Sequence, residues 1–174
     1  MIALRVLTPA DPADWPLWRD ARLAALADAP HAFTARLADW PAGGEARWRA
    51  RFARPDALHL VAVAADGRPA GLARGVPAER PGGAGELRSV WVAPRARGLG
   101  VGDRLLAAVE AWARHRGCGS LRLAVLPDNT AAVALYRRRG FADAGTDGEA
   151  APASGGDGTA RVMVKPLTGG DHPA

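Results

Sequence analysis

A glycine-rich segment between a β-like run and an amphipathic helix is the part of the sequence best suited to chemistry. The β-like run ends at Val92, and Arg97, Gly98, Gly100 and Gly102 follow before the helix. The first backbone amides of a helix have no partner within the helix, and the helix dipole adds about half a positive charge there. Glycine lets an anion approach those amides closely. The segment therefore predicts a binding site for a phosphate-bearing ligand.

Two common phosphate-binding motifs do not fit this segment. A Walker A loop requires Lys and Ser or Thr after its last glycine, whereas Gly102 is followed by Asp103. The dinucleotide-binding fingerprint requires a third glycine where Asp103 stands. What remains is the pattern Arg-x-x-Gly-x-Gly from Arg97 to Gly102. Taken alone, it is either a specific phosphate loop or a tight turn that tolerates glycine.

A second motif decides between these interpretations. Residues 129–141 read Asn-x-x-Ala-x-x-Leu-Tyr-x-x-x-Gly-Phe, from Asn129 to Phe141. Together with the glycine-rich segment, this pattern resembles the GNAT superfamily of acetyl-CoA-dependent N-acetyltransferases. The resemblance is strong over residues 85–142 and looser in the N-terminal half.

The resemblance implies an α/β fold of the α+β type. We expect a mixed central sheet of six to seven strands, splayed between the fourth and fifth strands and flanked by about four helices. Hydrophobic periodicity and turn residues give the same order, β-α-α-β-β-β-α-β-α-β-β, with a last short strand pair near residues 141–146 and 160–164. We expect residues 1–167 to form a single domain, 147–158 to form a mobile loop, and 168–174 to be a flexible tail.

The strand before the glycine-rich segment carries a sign of irregularity. Strict alternation would put Leu87 on one face and Val90 and Val92 on the other, so the apolar face switches across Ser89. A β-bulge at Ser89 would explain the switch, and a half-buried strand is the alternative. In the family that the chain resembles, such a bulge frees backbone groups to pair with the pantetheine arm. The resemblance assigns that contact to Val90, Trp91 and Val92.

The same resemblance implies the other ligand contacts. The pyrophosphate of acetyl-CoA would be held by the backbone amides of Arg97, Gly98, Leu99, Gly100, Val101 and Gly102. Asn129 would contact the cofactor near the pantetheine, or cap the following helix, or do both. Acetyl-CoA is thus expected as a co-substrate, with no metal.

Catalytic roles also follow from the resemblance. Tyr136 matches the tyrosine that protonates the departing CoA thiolate, and a phenol is protonated at neutral pH; packing against CoA is the alternative. Glu86 matches a glutamate that removes the amine proton, often through water, and an exposed strand glutamate is the alternative. The amide of Val92 is expected to polarise the thioester carbonyl.

Bulk properties limit the remaining functions. The chain has 174 residues, a formal net charge of +5 and one cysteine, so an internal disulfide is excluded. No apolar run approaches the roughly 20 residues of a membrane span, and we expect a cytoplasmic protein without a membrane partner. Its arginines are dispersed apart from the run Arg137–Arg139, which argues against nucleic-acid binding. A homodimer is possible.

The amine acceptor stays open at this level. Aromatic and acidic side chains in the N-terminal part, such as Trp48 and Asp28, would suit a cationic amine or equally an ordinary core with a charged rim. The leading hypothesis is an enzyme that acetylates a primary amine of a small molecule or peptide. The alternative is a catalytically silent acyl-CoA sensor of the same fold.

Overall fold

A seven-stranded mixed sheet with the order β1-β2-β3-β4-β5-β7-β6 organises the protein. The computed structural model describes residues 1–33, 36–144 and 160–167. The strands are β1 (Ile2–Leu7), β2 (Leu58–Ala64), β3 (Pro69–Val76), β4 (Ala84–Val92), β5 (Ser120–Val125), β6 (Ala142–Asp143) and β7 (Arg161–Pro166). The α-helices are α1 (Asp14–Asp28), α2 (Glu45–Phe52), α3 (Val101–His115) and α4 (Thr130–Arg138). A short 3-10 turn (Leu37–Asp39) and a π turn (Trp40–Gly44) precede α2.

The sheet is antiparallel except where β4 meets β5. These two strands pair in parallel over three residues only, Ala84–Glu86 of β4 against Ser120–Arg122 of β5. Beyond Glu86 the strands separate, so the sheet opens into a wedge. The expected fold, including the splay between the fourth and fifth strands, is confirmed.

The predicted bulge lies where the splay begins. Trp91 pairs with Leu72 and Arg88 with Arg74, so Ser89 and Val90 together face a single residue of β3. Ser89 has a φ of +57°, the left-handed conformation that bulges often contain. The bulge interpretation is therefore confirmed, and the half-buried regular strand is excluded.

Helices α1 and α3 cover the sheet with apolar side chains. Trp18 of α1 is fully buried and its ring contacts those of Phe52 and His59. Leu105 and Val109 of α3 are fully buried as well. The α3 helix approaches β3 so closely that a Cβ at Gly75 would lie 2.6 Å from the Trp112 ring.

Several predicted boundaries differ from the structure. The α3 helix starts at Val101, so the last glycine of the motif belongs to its first turn. The strand expected from Phe141 is limited to Ala142–Asp143 in the part of the chain that the structure describes. The 147–158 loop and the 168–174 tail lie outside the described residues.

A buried carboxylate ties three elements together. Glu110 of α3 is 2% exposed and binds Lys165 of β7 at 2.9 Å and Arg139, after α4, at 3.0 Å. Arg114 lies one turn further along α3, at 3.8 Å. Because burying a charge is costly unless it is paired, these cations offset the cost of burying the Glu110 carboxylate.

We predict that Glu110→Gln lowers the free energy of unfolding by about 3 kcal/mol, because Arg139 and Lys165 then stay partly buried without their anion. Asp20→Asn, which removes the exposed partner of Arg19, should cost less than about 0.5 kcal/mol. Urea unfolding of both variants measures the difference. Equal stabilities would show that the Glu110 cluster contributes no more than a surface ion pair.

Candidate active site

The wedge between β4 and β5 contains a cavity of about 980 Å³. The bulged half of β4, the end of β5 and the first turn of α3 line it, together with α4 and parts of α1 and α2. Eleven of the twelve site residues predicted from the sequence line this cavity. The exception is Leu99, whose side chain is 63% exposed and does not border it.

The glycine-rich segment presents a set of free backbone amides. Gly98 and Gly100 have φ values of +75° and +73°, a conformation that only glycine adopts without strain. The amides of Arg97 and Leu99 donate to carbonyls within the preceding turn. Within the described residues, the amides of Gly98 and Gly100 and of the first three residues of α3, residues 101–103, make no such bond. These free amides form a positive end at the cavity wall.

Asp28, the last residue of α1, joins the glycine-rich segment to β4. One oxygen of its carboxylate accepts hydrogen bonds from the Trp91 indole at 2.9 Å and from the Arg97 guanidinium. Arg97 also donates from Nε to the carbonyl of Val92 at 3.1 Å. The Arg97 side chain is thus committed to positioning the loop, which leaves ligand binding to backbone amides.

Gly102 brings α3 and α4 together. A Cβ at this position would lie 2.9 Å from Cδ2 of Leu135. A larger residue would therefore displace the Leu135 side chain of α4, the helix that carries Tyr136. The third glycine of the motif thus serves helix packing as well as ligand access.

The register of β4 directs alternate backbone groups into the wedge. The amide of Ala93 donates to the carbonyl of Ala70 on β3. Because hydrogen-bonded and non-hydrogen-bonded pairs alternate in an antiparallel ladder, Trp91 bonds to Leu72 and Val92 faces away from β3. The backbone groups of Val90 point the same way as those of Val92. Of the three residues expected to offer backbone contacts, Trp91 has its groups engaged in the sheet.

Asn129 and Tyr136 border the cavity from α4. The side chain of Asn129 accepts a hydrogen bond from the Ala132 amide at 3.2 Å, so it caps the helix while facing the cavity. Tyr136 is 6% exposed and its ring packs edge-on against Phe141. Burial raises the pKa of the Tyr136 phenol well above its ordinary value. This phenol is therefore protonated at any physiological pH.

Glu86 lies at the end of the cavity where β4 and β5 still pair. Its carboxylate forms ion pairs with Arg88 and with Arg122, the latter at 2.9 Å. Burial acts to raise the pKa of Glu86, but the hydrogen bonds and charges of Arg122 and Arg88 outweigh it and hold the pKa below its ordinary value. Glu86 is therefore a carboxylate at neutral pH.

The aromatic and acidic side chains that the sequence suggested for binding a cationic acceptor do not form an open cation site. Trp18 is in the core, and Asp28 is paired as described above. Trp48 and Phe33 do border the cavity, but they enclose the guanidinium of Arg22. Sequence reasoning missed Arg22, although it falls at helical spacing from Trp15 and Trp18 on the buried face of α1.

Comparison with known proteins agrees with this geometry. The model of the acetyltransferase (GNAT) family matches residues 18–141. The chain belongs to this family. As a GNAT protein it is an acyltransferase, and the family uses acetyl-CoA and an acceptor substrate.

Named relatives show how widely GNAT acceptors vary. An IAA acetyltransferase of Azospirillum brasilense is 38% identical over 118 residues, which cover 66% of this chain and 71% of the relative. An aminoglycoside N(6')-acetyltransferase type 1 of Stenotrophomonas maltophilia is 32% identical over 149 residues, covering 79% and 84% of the two chains. A GCN5-related N-acetyltransferase structure from Kribbella flavida superimposes with a TM-score of 0.68 at 30% identity. The match covers 95% of this chain and 97% of that one.

Two other site classes find no support in the described residues. None of the helices there combines the length and the apolar character that crossing a bilayer demands. No three His, Cys, Asp or Glu side chains in the same part of the chain lie close enough together to hold a metal ion.

The left-handed backbone of Ser89 generates a prediction about this GNAT bulge. Ser89→Val should lower the free energy of unfolding by about 1–2 kcal/mol, because a β-branched residue is strained at positive φ. Ser89→Gly is the matched variant and should be as stable as the parent protein or more so. Chemical denaturation compares the two. If valine and glycine gave the same stability, Ser89 would not hold this conformation in solution.

Proposed function

We propose that this protein transfers the acetyl group of acetyl-CoA directly to a primary amine of a small molecule or peptide. The observation that carries the proposal is the pair of outward-facing backbone positions, Val90 and Val92, beside the free amides that start α3. An extended ligand with a pyrophosphate at one end matches this arrangement. Tyr136 borders the same cavity and supplies a protonated group.

The residues fit the two ends of acetyl-CoA. The amides of Gly98, Gly100 and the first turn of α3 would hold the pyrophosphate by hydrogen bonds and by the helix dipole. The backbone groups of Val90 would pair with the amide groups of pantetheine, much as a neighbouring strand would. The Val92 carbonyl already accepts from Arg97, so Val92 would contribute chiefly its amide, at the thioester end of the arm. Asn129 would contact the same arm with whatever capacity its capping bond leaves.

The bond-making and bond-breaking steps of acetyl transfer would use two groups of this chain, the Val92 amide and the Tyr136 phenol. The neutral amine nitrogen attacks the thioester carbonyl carbon, and negative charge develops on the carbonyl oxygen. The Val92 amide, which faces the wedge, would donate a hydrogen bond to that oxygen. As the carbon–sulfur bond breaks, Tyr136 would give its proton to the sulfur, and the proton lost by the amine restores the phenol through solvent.

Glu86 would assist the amine. Because the pKa of Glu86 is held below its ordinary value, the carboxylate does not stay protonated at neutral pH. Glu86 would accept a hydrogen bond from the amine, directly or through water, and pass the proton on to solvent. This is the base role expected from the sequence, with the proton not retained on the side chain.

Replacing Tyr136 with Phe tests the acid. We predict that kcat falls about 100-fold, within the usual range for a general acid. The Kd for acetyl-CoA should change less than about twofold, because the ring and its packing against Phe141 remain. An assay of free CoA released in the presence of each amine of a panel measures kcat, and titration calorimetry with acetyl-CoA measures Kd. An unchanged kcat would leave Tyr136 a packing role. Acetyl-CoA binding without turnover on any amine would favour the silent sensor.

The pH dependence of kcat follows from the two pKa shifts. The lowered pKa of Glu86 and the raised pKa of Tyr136 mean that neither group titrates between about pH 6 and pH 10. We therefore predict that kcat rises with pH as the bound amine deprotonates and does not fall again below pH 10. Profiles for two acceptors with different amine pKa values should be displaced accordingly. A falling limb common to both acceptors near pH 8 would contradict these assignments.

A further inference from the structure

Arg22 is a buried cation that has no anionic partner among the residues that the structure describes. It lies on α1 and is 2% exposed, yet it borders the cavity. Its guanidinium lies 3.9 Å from the centre of the Trp48 ring and 4.4 Å from that of Phe33. Within the described residues, Nε and Nη1 have no hydrogen-bond partner and no carboxylate forms an ion pair with the side chain.

The two aromatic rings do not satisfy the hydrogen-bond donors of the Arg22 guanidinium. Stacking on Trp48 and Phe33 stabilises the charge by cation–π attraction, but it offers no acceptor to the N–H groups. Burial, together with the smaller effect of the nearby Arg51 charge, lowers the pKa of Arg22 to about 9. The side chain is still a cation at neutral pH. A buried and unpartnered charge costs stability unless a ligand completes it.

The surrounding charges are also positive. The guanidinium of Arg51 also lies over the Trp48 ring, 4.7 Å from its centre, and Arg88 and Arg122 line the cavity as well. The carboxylate at this end is Glu86, and it is already shared between Arg88 and Arg122. A purely cationic amine would be repelled here, whereas an anionic group would be attracted.

Arg22 lies away from the phosphate end of the cavity. Asp28 binds the glycine-rich segment. Arg22 lies six residues before Asp28 on the same helix, which is about 9 Å along the helix axis. On β4, Arg88 precedes Val92 by four residues, about 13 Å along the strand. The arginine cluster is therefore on the side of the reacting centre opposite to the pyrophosphate amides, where the acceptor must enter.

We propose that Arg22 recognises an anionic group on the acceptor, so that the substrate is an amine that also carries a carboxylate or a phosphate. This inference rests on the proposed acetyl transfer and names its substrate class. Polycationic amines, such as aminoglycosides and polyamines, would be poor acceptors. Arg22 would be a specificity-determining residue that fixes the acceptor while its amine reaches the thioester.

Matched pairs of acceptors test the proposal. Alanine, methionine and phenylalanine are compared with their amides, and phosphoethanolamine with ethanolamine, by CoA release. With each kcat/KM divided by the fraction of neutral amine at the assay pH, we expect the anionic member to have a value at least about tenfold higher, as a charge-assisted hydrogen bond would give. The amino acid pair tests the carboxylate and the ethanolamine pair the phosphate. Equal kcat/KM values within both pairs would overturn the proposal.

Two variants on one helix separate recognition from structure. Arg22→Met should abolish the preference by raising KM while kcat changes less than about threefold. It should also melt at the same temperature or higher, because an unpartnered charge leaves the interior. Arg19→Met, at an exposed position paired only with Asp20, should keep the preference. If Arg22→Met melted lower and kept the preference, the role of Arg22 would be structural.

A binding measurement separates this inference from the proposed function. N-acetyl-phenylalanine and N-acetyl-phenylalaninamide are titrated into the protein with CoA present. Tighter binding of the carboxylate to the parent protein than to Arg22→Met supports the anion site even if no acceptor is turned over, in which case acetyl transfer alone fails. Equal binding of both probes to both proteins overturns the anion site, whatever the turnover.

Discussion

The site depends on the separation of β4 from β5. Two parallel strands that pair over three residues and then diverge leave one edge of β4 without a partner strand in the part of the chain that the structure describes. Unpaired backbone groups in an interior are costly unless something satisfies them. The cavity, the free amides of α3 and the side chains of α4 are all arranged around this open edge. An extended polar ligand would satisfy the groups along this edge and extend the sheet.

The bulge at Ser89 is the local device that makes this edge usable. One extra residue on β4 shifts the ladder, so the backbone groups of Val90 and Val92 turn toward the wedge while Trp91 stays bonded to β3. The Trp91 indole in turn binds Asp28, which also holds Arg97. Hydrogen bonds through Asp28 thus connect the bulged strand, the glycine-rich segment and the end of α1. A displacement in any of them would move the others.

Local sequence signals predicted most of the fold and most of the residues that line the cavity beside the glycine-rich segment. Periodicity, glycines and the Asn129 motif are properties of neighbouring residues, and the apolar switch across Ser89 marked the bulge. Side-chain partners far apart in the chain were beyond such reasoning. Glu86 and Arg122 are 36 residues apart, and Glu110 and Lys165 are 55 apart. Only the folded topology brings those charges together, and it changes Glu86 from a free carboxylate into a paired one.

Two residues of the cavity wall lower the stability of the folded protein when no ligand is bound. Glycine at position 89 would relieve the positive φ, and an apolar residue at position 22 would remove a buried, unpartnered charge. Costs of this kind persist where function requires them. Ser89 shapes the strand edge proposed to bind the acetyl donor, and Arg22 faces the end from which the acceptor would approach. The binding energies of the two substrates would offset these costs, so the occupied site should be more rigid than the empty one.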